Sequence, residues 1–202
     1  MGENQGEVME TKEFLLYSNN IDRISDIDVK AIIRVNLAWE NSVEKVLEVL
    51  KETDKPIFLD FPYRRSKFPL PIFDLQDAIK IANQNSPKVK YFAVSNCESY
   101  DFIMEIREEL DPNIVLVPKI ETKAGIENFI GICTAARTNI IMLDREDLVK
   151  SLGDDCEETQ VKDLVNILYD KAEKYKITIL GLQGVVFSEK SRGENSSITK
   201  GA

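Results

Sequence analysis

Short runs of β-branched and aliphatic residues alternate with amphipathic stretches from residue 13 onward. Such alternation is typical of repeated strand–helix units that form a parallel sheet. Several runs are apolar on successive residues, as expected for strands that are buried on both faces. The predicted strands are Phe14–Tyr17, Ala31–Asn36, Pro56–Asp60, Val89–Val94, Ile114–Ile120, Asn139–Leu143, Ile177–Leu180 and Val185–Phe187.

The stretches between these strands place apolar residues on one face at helical spacing. Val43, Val46, Leu47 and Leu50 show this spacing in the first stretch. The predicted helices are Ser42–Glu52, Asp74–Asn83, Ser99–Leu110, Gly125–Ala136 and Glu158–Tyr175, with Asp74 and Ser99 as N-caps.

This order predicts a compact α/β fold, a TIM-type (β/α)8 barrel spanning residues 13–188, between a polar N-terminal extension (1–12) and a flexible tail (189–202). Only Gly181–Gly184 separates the last two predicted strands, too few residues for a crossover helix. Either the barrel is incomplete near its C-terminal strands, or one of those two strand assignments is wrong. A seven-stranded or partly open sheet is the alternative to a closed barrel.

Composition excludes several functional classes. The formal net charge of -9 argues against nucleic acid as a partner, and no apolar stretch approaches the roughly 20 residues of a membrane span. The chain has no histidine, and Cys97, Cys133 and Cys156 are widely spaced, which argues against zinc fingers and against Cys–His or Ser–His catalysis. We expect a cytoplasmic protein with reduced thiols.

Two carboxylates follow neighbouring predicted strands and are the main candidates for chemistry. Glu121 and Asp147 would meet above the sheet if a right-handed crossover sets their strands side by side. Two carboxylates with open coordination positions suit Mg²⁺ (or Mn²⁺). Charged loops at strand ends are common, however, and an ordinary pair of loop acids is the competing interpretation.

Lys119 and Arg34 also lie at strand ends, and alternation along the strand directs Lys119 to the same side as Glu121. Their charge would stabilise an enolate or a phosphate at this site. A second basic group is Arg64, Arg65 and Lys67, which would form either a phosphate clamp at the barrel mouth or a solvated loop.

From about Phe14 to Gly193 the chain resembles the barrel domain of pyruvate kinase. Pro118–Glu121 followed by Gly125–Phe129 is similar to the family's Pro-Lys-Ile-Glu-Asn and Gly-Val-x-Asn-Phe segments. Ile141–Leu148 resembles its Ile-Met-Val-Ala-Arg-Gly-Asp-Leu segment. Ile33–Asn36 and Ile57–Asp60 resemble two of its strands in the same order. The family belongs to the phosphoenolpyruvate/pyruvate-binding superfamily, together with HpcH/HpaI-type aldolases and the citrate lyase beta chain.

The resemblance implies roles for individual residues. Glu121 and Asp147 match residues that bind the divalent metal. Lys119 matches the residue that supports the enolate, and Arg34 matches one that contacts phosphate. Arg34, Asn36, Asp60 and Arg145 are the candidate substrate-binding residues, although the family's matches of Asn36 and Asp60 hold a potassium ion.

The chain also departs from the family. Ala38 and Phe61 replace the Ser and Thr of the potassium site, and Leu182 replaces a substrate-binding Thr. Glu146 replaces a glycine beside the metal-binding Asp and would repel a carboxylate. The resemblance covers neither the lid domain nor the C-terminal regulatory domain of the family, and we expect both to be missing; residues 61–71 stand where the lid would be inserted.

Three hypotheses follow. The leading one is a Mg²⁺-dependent enzyme that acts on a small 2-oxo acid or a phosphoenolpyruvate-like ligand through an enolate, as an aldolase or lyase, and that forms a homo-oligomer. The second is a degenerate barrel that binds a ligand or a protein without catalysis. The third is a pyruvate-kinase-like transferase that borrows its lid from another chain.

Overall fold

The computed structural model describes residues 16–18, 32–39, 42–65, 68–153 and 155–180. Within these ranges seven parallel strands lie side by side in sequence order. They are β1 (Leu16–Ser18), β2 (Ile32–Asn36), β3 (Ile57–Phe61), β4 (Val89–Val94), β5 (Val115–Ile120), β6 (Ile140–Leu143) and β7 (Thr178–Leu180). Each overlaps a predicted strand, whereas Val185–Phe187 falls outside the described residues.

Within the described residues, six helices lie between the strands from β2 to β7. They are α1 (Val43–Glu52), α2 (Leu75–Gln84), α3 (Tyr100–Glu109), α4 (Lys123–Ala136), α5 (Arg145–Leu152) and α6 (Glu158–Tyr175). Five were predicted, and the side chains of Asp74 and Ser99 cap α2 and α3 as expected. In the described part of the chain, no helix combines the length and the apolar character needed to cross a membrane.

Helix α5 was not predicted. It begins immediately after β6, where the Asp144 side chain accepts a hydrogen bond from the Asp147 amide at 3.2 Å. Asp147 therefore lies in the first turn of a helix. The carboxylate of Asp147 also suits this position, because acids stabilise the N-terminal turn of a helix.

The two faces of the sheet have different partners. The larger core lies between the strands and the helices and includes Ile33, Leu59, Phe92 and Phe129. The opposite face carries one apolar residue from each of six strands: Ile32, Phe58, Ala93, Val117, Met142 and Leu180. Residues on this second face pack against one another, as inward-facing side chains of a barrel do.

The described residues form a partial TIM-type barrel. They include no eighth strand and show no pairing between β1 and β7. Sequential parallel order with helices between the strands is the arrangement expected of (β/α) barrels. The expected incompleteness near the C-terminal strands is therefore consistent with the described part of the chain, and eightfold closure is not part of it.

A glycine fixes how closely α4 approaches the loop after β4. A Cβ atom on Gly125 would lie 2.7 Å from the backbone oxygen of Cys97, a distance that side chains do not tolerate. In the same helix, the nearest atom to a Cβ on Gly131 would be Tyr100 Cδ2 at 4.0 Å. Close approach at Gly125 brings the N-terminal turn of α4 against the segment that follows β4.

We expect Gly125→Ala to lower the free energy of unfolding by about 1–3 kcal/mol, because the backbone of the β4 loop must move. The matched variant Gly131→Ala should raise it by about 0.5–1 kcal/mol through helix propensity alone. Urea denaturation of both proteins measures the difference. Equal effects of the two substitutions would show that the contact at Gly125 is not tight.

Candidate active site

Side-chain alternation places charged residues directly above the apolar inner layer of the sheet. Phe58 is followed two residues later by Asp60, and Met142 by Asp144. Because alternate residues of a strand point to the same face, these side chains extend the inner face toward the carboxyl ends of the strands. The polar residues placed in this way are Arg34, Asn36, Asp60, Ser95, Lys119, Glu121 and Asp144.

Four of these residues form a buried network of charges. Arg34 Nε donates a hydrogen bond to Asp60 Oδ2 at 2.8 Å, and its Nη2 contacts the same oxygen. Lys119 Nζ lies 3.7 Å from Asp60 Oδ1 and 2.9 Å from Glu121 Oε1. It also donates to Ser95 Oγ at 2.9 Å. Strands β2, β3 and β5 are thereby joined by alternating positive and negative groups.

Burial and ion pairing have opposite effects on the pKa values of the groups in this network. Burial alone would raise the pKa of Asp60, but Lys119 and Arg34 hold it below its usual value. Burial would lower the pKa of Lys119, and the charges of Asp60 and Glu121 raise it instead. The pKa of Glu121 is raised, chiefly by burial, which Lys119 only partly offsets. Lys119 therefore stays protonated, and Asp60 is its ionised partner.

Both oxygens of Glu121 have contacts. Its Oε2 accepts a hydrogen bond from the Asn96 amide at 2.9 Å. Its Oε1 lies 2.9 Å from Lys119 Nζ, at ion-pair distance. Glu121 is therefore positioned by the segment that follows β4 and by Lys119 of β5.

Glu121, Asp144 and Asp147 form an acidic cluster. One carboxylate oxygen from each lies within 4.8 Å of the other two. Asp144 comes from the end of β6, and Asp147 comes from the first turn of α5. Lys150, one turn further along α5, lies 3.4 Å from Asp147 Oδ1. The loop after β6 therefore brings two acids to the strand end that carries Glu121.

The network and the acidic cluster share one cleft of about 460 Å³. It is lined by Arg34, Asn36, Trp39, Pro62, Tyr63, Arg64, Arg65, Ser95, Asn96, Lys119, Glu121, Asp144, Asp147, Lys150 and Ser151. All of these residues lie at the carboxyl ends of strands or in the segments that follow them. Active sites of α/β barrels lie at this edge of the sheet.

The predicted site residues have different positions in the structure. Arg34, Asn36, Lys119, Glu121 and Asp147 all line the cleft. Asp60 is fully buried beneath it and contacts Arg34 and Lys119. Arg145 is exposed and is not among the lining residues, so its substrate-binding role stays a prediction.

The residues that depart from the pyruvate kinase pattern are mostly outside the cleft. Ala38 and Phe61 are buried, and Phe61 packs in the core on the helix side of the sheet. Glu146 is exposed on α5 and does not line the cleft, so the structure does not aim its charge at the site. Leu182 lies outside the described residues, as does Lys67 of the predicted phosphate clamp.

Sequence reasoning missed three residues of the site. Asp144 was overlooked although it follows a strand and precedes a helix, the pattern of an N-cap. Ser95 and Asn96 follow β4 in the same way that Glu121 follows β5. The signal that would have found all three was their position just past the carboxyl ends of parallel strands.

Comparison with known proteins identifies the fold. No protein-family profile matches the sequence, and no curated protein sequence does. Among solved structures, RipC from Yersinia pestis is 11% identical with a TM-score of 0.58, and the match covers 92% of this chain and 83% of that one. Citrate synthase SbnG is 10% identical with a TM-score of 0.62, covering 92% and 82%. HpcH/HpaI aldolase from Desulfitobacterium hafniense DCB-2 is 12% identical with a TM-score of 0.61, covering 91% and 82%.

At these identities the likeness concerns the fold. It supports the barrel-type α/β fold that the sequence suggested, because an HpcH/HpaI aldolase is among the similar structures. The specific resemblance to pyruvate kinase stays a prediction. The chain shares its α/β barrel architecture with an aldolase and a citrate synthase.

Proposed function

We propose that this chain is a Mg²⁺- or Mn²⁺-dependent enzyme of the aldolase or lyase type, which stabilises the enolate of a pyruvate-like 2-oxo acid. The observation that carries the proposal is the meeting of Lys119 and Arg34 with three carboxylates in one cleft at the carboxyl edge of the sheet. The likeness of the fold to an HpcH/HpaI aldolase supports the same class of chemistry.

The acidic cluster fits a hard divalent cation. Oxygens bound to one Mg²⁺ at about 2.1 Å are at most about 4.2 Å apart. The cluster oxygens lie within 4.8 Å of one another, so small side-chain rotations bring them onto one ion. Glu121 Oε1 is ion-paired with Lys119 at 2.9 Å, and Glu121 lines the same cleft as the two aspartates. Glu121, Asp144 and Asp147 would hold the metal.

When bound, the metal would polarise the carbonyl of the 2-oxo acid and lower the energy of the enolate. The chain's own residues would do the remaining work. Lys119 is held protonated between Asp60 and Glu121 and would stabilise negative charge on the enolate oxygen. Arg34 lines the same cleft and would orient the substrate carboxylate. A substrate group or water would carry the proton, since the chain has no histidine.

Asp60 would support this chemistry without touching the substrate. Its two oxygens contact Arg34 and Lys119, so it fixes both cations in position before a ligand arrives. Charges that are fixed in advance need no reorganisation when negative charge develops on the substrate. In the pyruvate kinase pattern, the residue that Asp60 matches contacts a potassium ion. In this chain Asp60 contacts Arg34 and Lys119.

The rival proposal is a binding module without catalysis, which the substitutions at Ala38, Phe61, Glu146 and Leu182 suggested; Leu182 lies outside the described residues. The first two are packed in the interior, and Glu146 is exposed and outside the cleft. None of the three therefore blocks the cleft. A pyruvate-kinase-like transferase remains the third candidate, and it needs a lid over the phosphates that the segment at 61–71 is too short to form.

Metal-dependent binding of oxalate, a mimic of the pyruvate enolate, tests the proposal. We expect Mn²⁺ and oxalate together to raise the melting temperature by about 5–10 °C at saturation, because ligand binding stabilises the folded state. Removal of the metal with a chelator should abolish the shift. Glu121→Gln and Asp147→Asn should each abolish it as well, as measured by differential scanning fluorimetry.

Glu146→Gln is the matched control for these variants. It removes the same charge from the residue beside Asp147, but its side chain is exposed and does not line the cleft. The shift should survive in this protein. A shift that persists in Glu121→Gln, or one that is absent from the unmodified protein, would contradict the assignment and favour the binding module.

The charge network itself should be costly to break. Asp60→Asn leaves Arg34 and Lys119 buried without their shared carboxylate, and we expect the free energy of unfolding to fall by about 3–5 kcal/mol. Glu127→Gln is the control, because it removes one partner of the exposed Lys123–Glu127 pair. It should change the free energy of unfolding by less than about 0.5 kcal/mol. Urea denaturation measures both. A loss below about 1 kcal/mol for Asp60→Asn would show that the network is not tightly coupled.

A further inference from the structure

The cleft is larger than a pyruvate-like acid requires. Its volume of about 460 Å³ lies in the range that holds ligands of drug size, about 300–1,000 Å³. The acidic cluster, Lys119 and Arg34 occupy only part of its wall. The remaining wall is formed mainly by residues 62–65, named here the basic turn, and by Trp39, Lys150 and Ser151.

Ring contacts and a hydrogen bond support the basic turn. The Arg64 guanidinium lies over the Tyr63 ring, with 5.1 Å between Cζ and the ring centroid. Tyr63 in turn stacks on Phe102 of α3, with ring centroids 4.4 Å apart. Arg65 Nε donates a hydrogen bond to the backbone oxygen of Pro69 at 2.8 Å. Tyr63 and Arg65 are therefore anchored at the cleft, and Arg64 lies over the Tyr63 ring beside them.

The charge of the basic turn is poorly neutralised. Arg64 Nη1 lies 3.5 Å from Glu98 Oε2, and the side chain of Arg64 is 64% exposed and that of Glu98 37%. Exposed pairs at such distances contribute little. Among the described residues, no carboxylate lies within ion-pair distance of Arg65, whose hydrogen-bond acceptors are backbone oxygens. Two cations thus face a cleft in a chain whose net charge is -9.

Backbone conformation also marks this turn. Four non-glycine residues in the described part of the chain have positive φ: Arg64, Asn96, Arg137 and Lys176. Arg137 and Lys176 end helices α4 and α6, where a left-handed residue is common. Arg64 and Asn96 end no helix, and both line the cleft. Left-handed backbone of this kind, in residues other than glycine, concentrates at binding sites.

Asn96 joins the basic turn to the proposed metal site. Its Nδ2 donates to the backbone oxygen of Tyr63 at 2.8 Å, and its amide donates to Glu121 Oε2 at 2.9 Å. One residue therefore fixes the position of the turn relative to Glu121. This linkage suits a ligand that spans from the acidic cluster to the turn.

We infer that the ligand carries a phosphate or phosphonate group at the end remote from its 2-oxo acid, and that Arg64 and Arg65 bind this group. The inference rests on the proposed function, because it assumes that the 2-oxo acid occupies the acidic end of the cleft. Guanidinium groups bind phosphate oxygens in pairs. A phosphate dianion offers three oxygens, which suffice for the Arg64 fork and for Nη1 of Arg65, whose Nε and Nη2 donate to backbone oxygens. One carboxylate offers only two oxygens.

Calorimetric titration with acids of equal chain length tests the inference. The probes, each with Mn²⁺ present, are 2-oxo-4-phosphonobutanoate, 2-oxopentanedioate and 2-oxopentanoate, with oxalate as the reference without a tail. We expect the phosphonate to bind at least about 10-fold more tightly than 2-oxopentanoate, and more tightly than the dicarboxylate. Arg64→Gln should reduce the preference for phosphonate to about 2-fold while leaving oxalate affinity within about 2-fold.

Arg137→Gln is the matched control, because Arg137 is also an exposed arginine with φ of 53° but lies outside this cleft. This variant should change neither the preference for phosphonate nor the oxalate affinity. Equal binding of phosphonate and dicarboxylate would overturn the phosphate assignment, and equal binding of all three acids would overturn the subsite. A parallel loss of oxalate affinity in Arg64→Gln would give Arg64 a structural role instead.

The two proposals fail in different ways. Oxalate binding without any preference among the longer acids leaves the proposed function intact and overturns the phosphate subsite. Absence of oxalate binding to the unmodified protein in the presence of Mn²⁺ overturns the proposed function, and the subsite with it.

Discussion

Lys119 is buried between two carboxylates, and the arrangement of the site depends on this contact. An ammonium group loses several kcal/mol of hydration when it is buried, and only partners at close range offset that loss. Glu121 and Asp60 supply the opposite charge, and Arg34 completes the pairing of Asp60. Arg34 lies in β2, Asp60 in β3 and Lys119 in β5, and Glu121 directly follows β5. The strands must therefore be in register for the four charges to meet. A buried network of this kind contributes little net stability compared with well-packed apolar residues of similar volume.

The alternation of side chains along the strands explains how the fold tolerates these charges. The apolar inner layer, which includes Phe58 and Val117, excludes water from below, and the helices cover the opposite face. On this inner face the charged residues lie toward the carboxyl ends of the strands, where the cleft opens. In this setting electrostatic interactions are stronger than in water. The same geometry brings the loops after β3, β4 and β6 around one cavity, so the candidate metal ligands and the basic turn share it.

Sequence patterns predicted the strands and five helices because burial on both faces leaves nearly continuous apolar runs, and amphipathic helices keep their period. They also indicated Lys119, Glu121 and Asp147, since each lies at or just beyond a strand end. The pairing of Arg34 with Asp60 could not be derived, because it depends on the register between β2 and β3. Asp144 and α5 were missed because a helix of eight residues is too short for its apolar periodicity to be recognised in the sequence. The role of Asn96 depends on a left-handed backbone that sequence does not reveal.

The most direct test of the account is anomalous diffraction from crystals grown with Mn²⁺ and oxalate. The account predicts a single strong manganese peak among Glu121, Asp144 and Asp147, with oxalate on its open side facing Lys119 and Arg34. It also predicts that Asp60 keeps its contacts with both cations. A manganese peak elsewhere, or a cleft that stays empty at saturating metal and oxalate, would contradict the claim that the buried charges serve an enolate site.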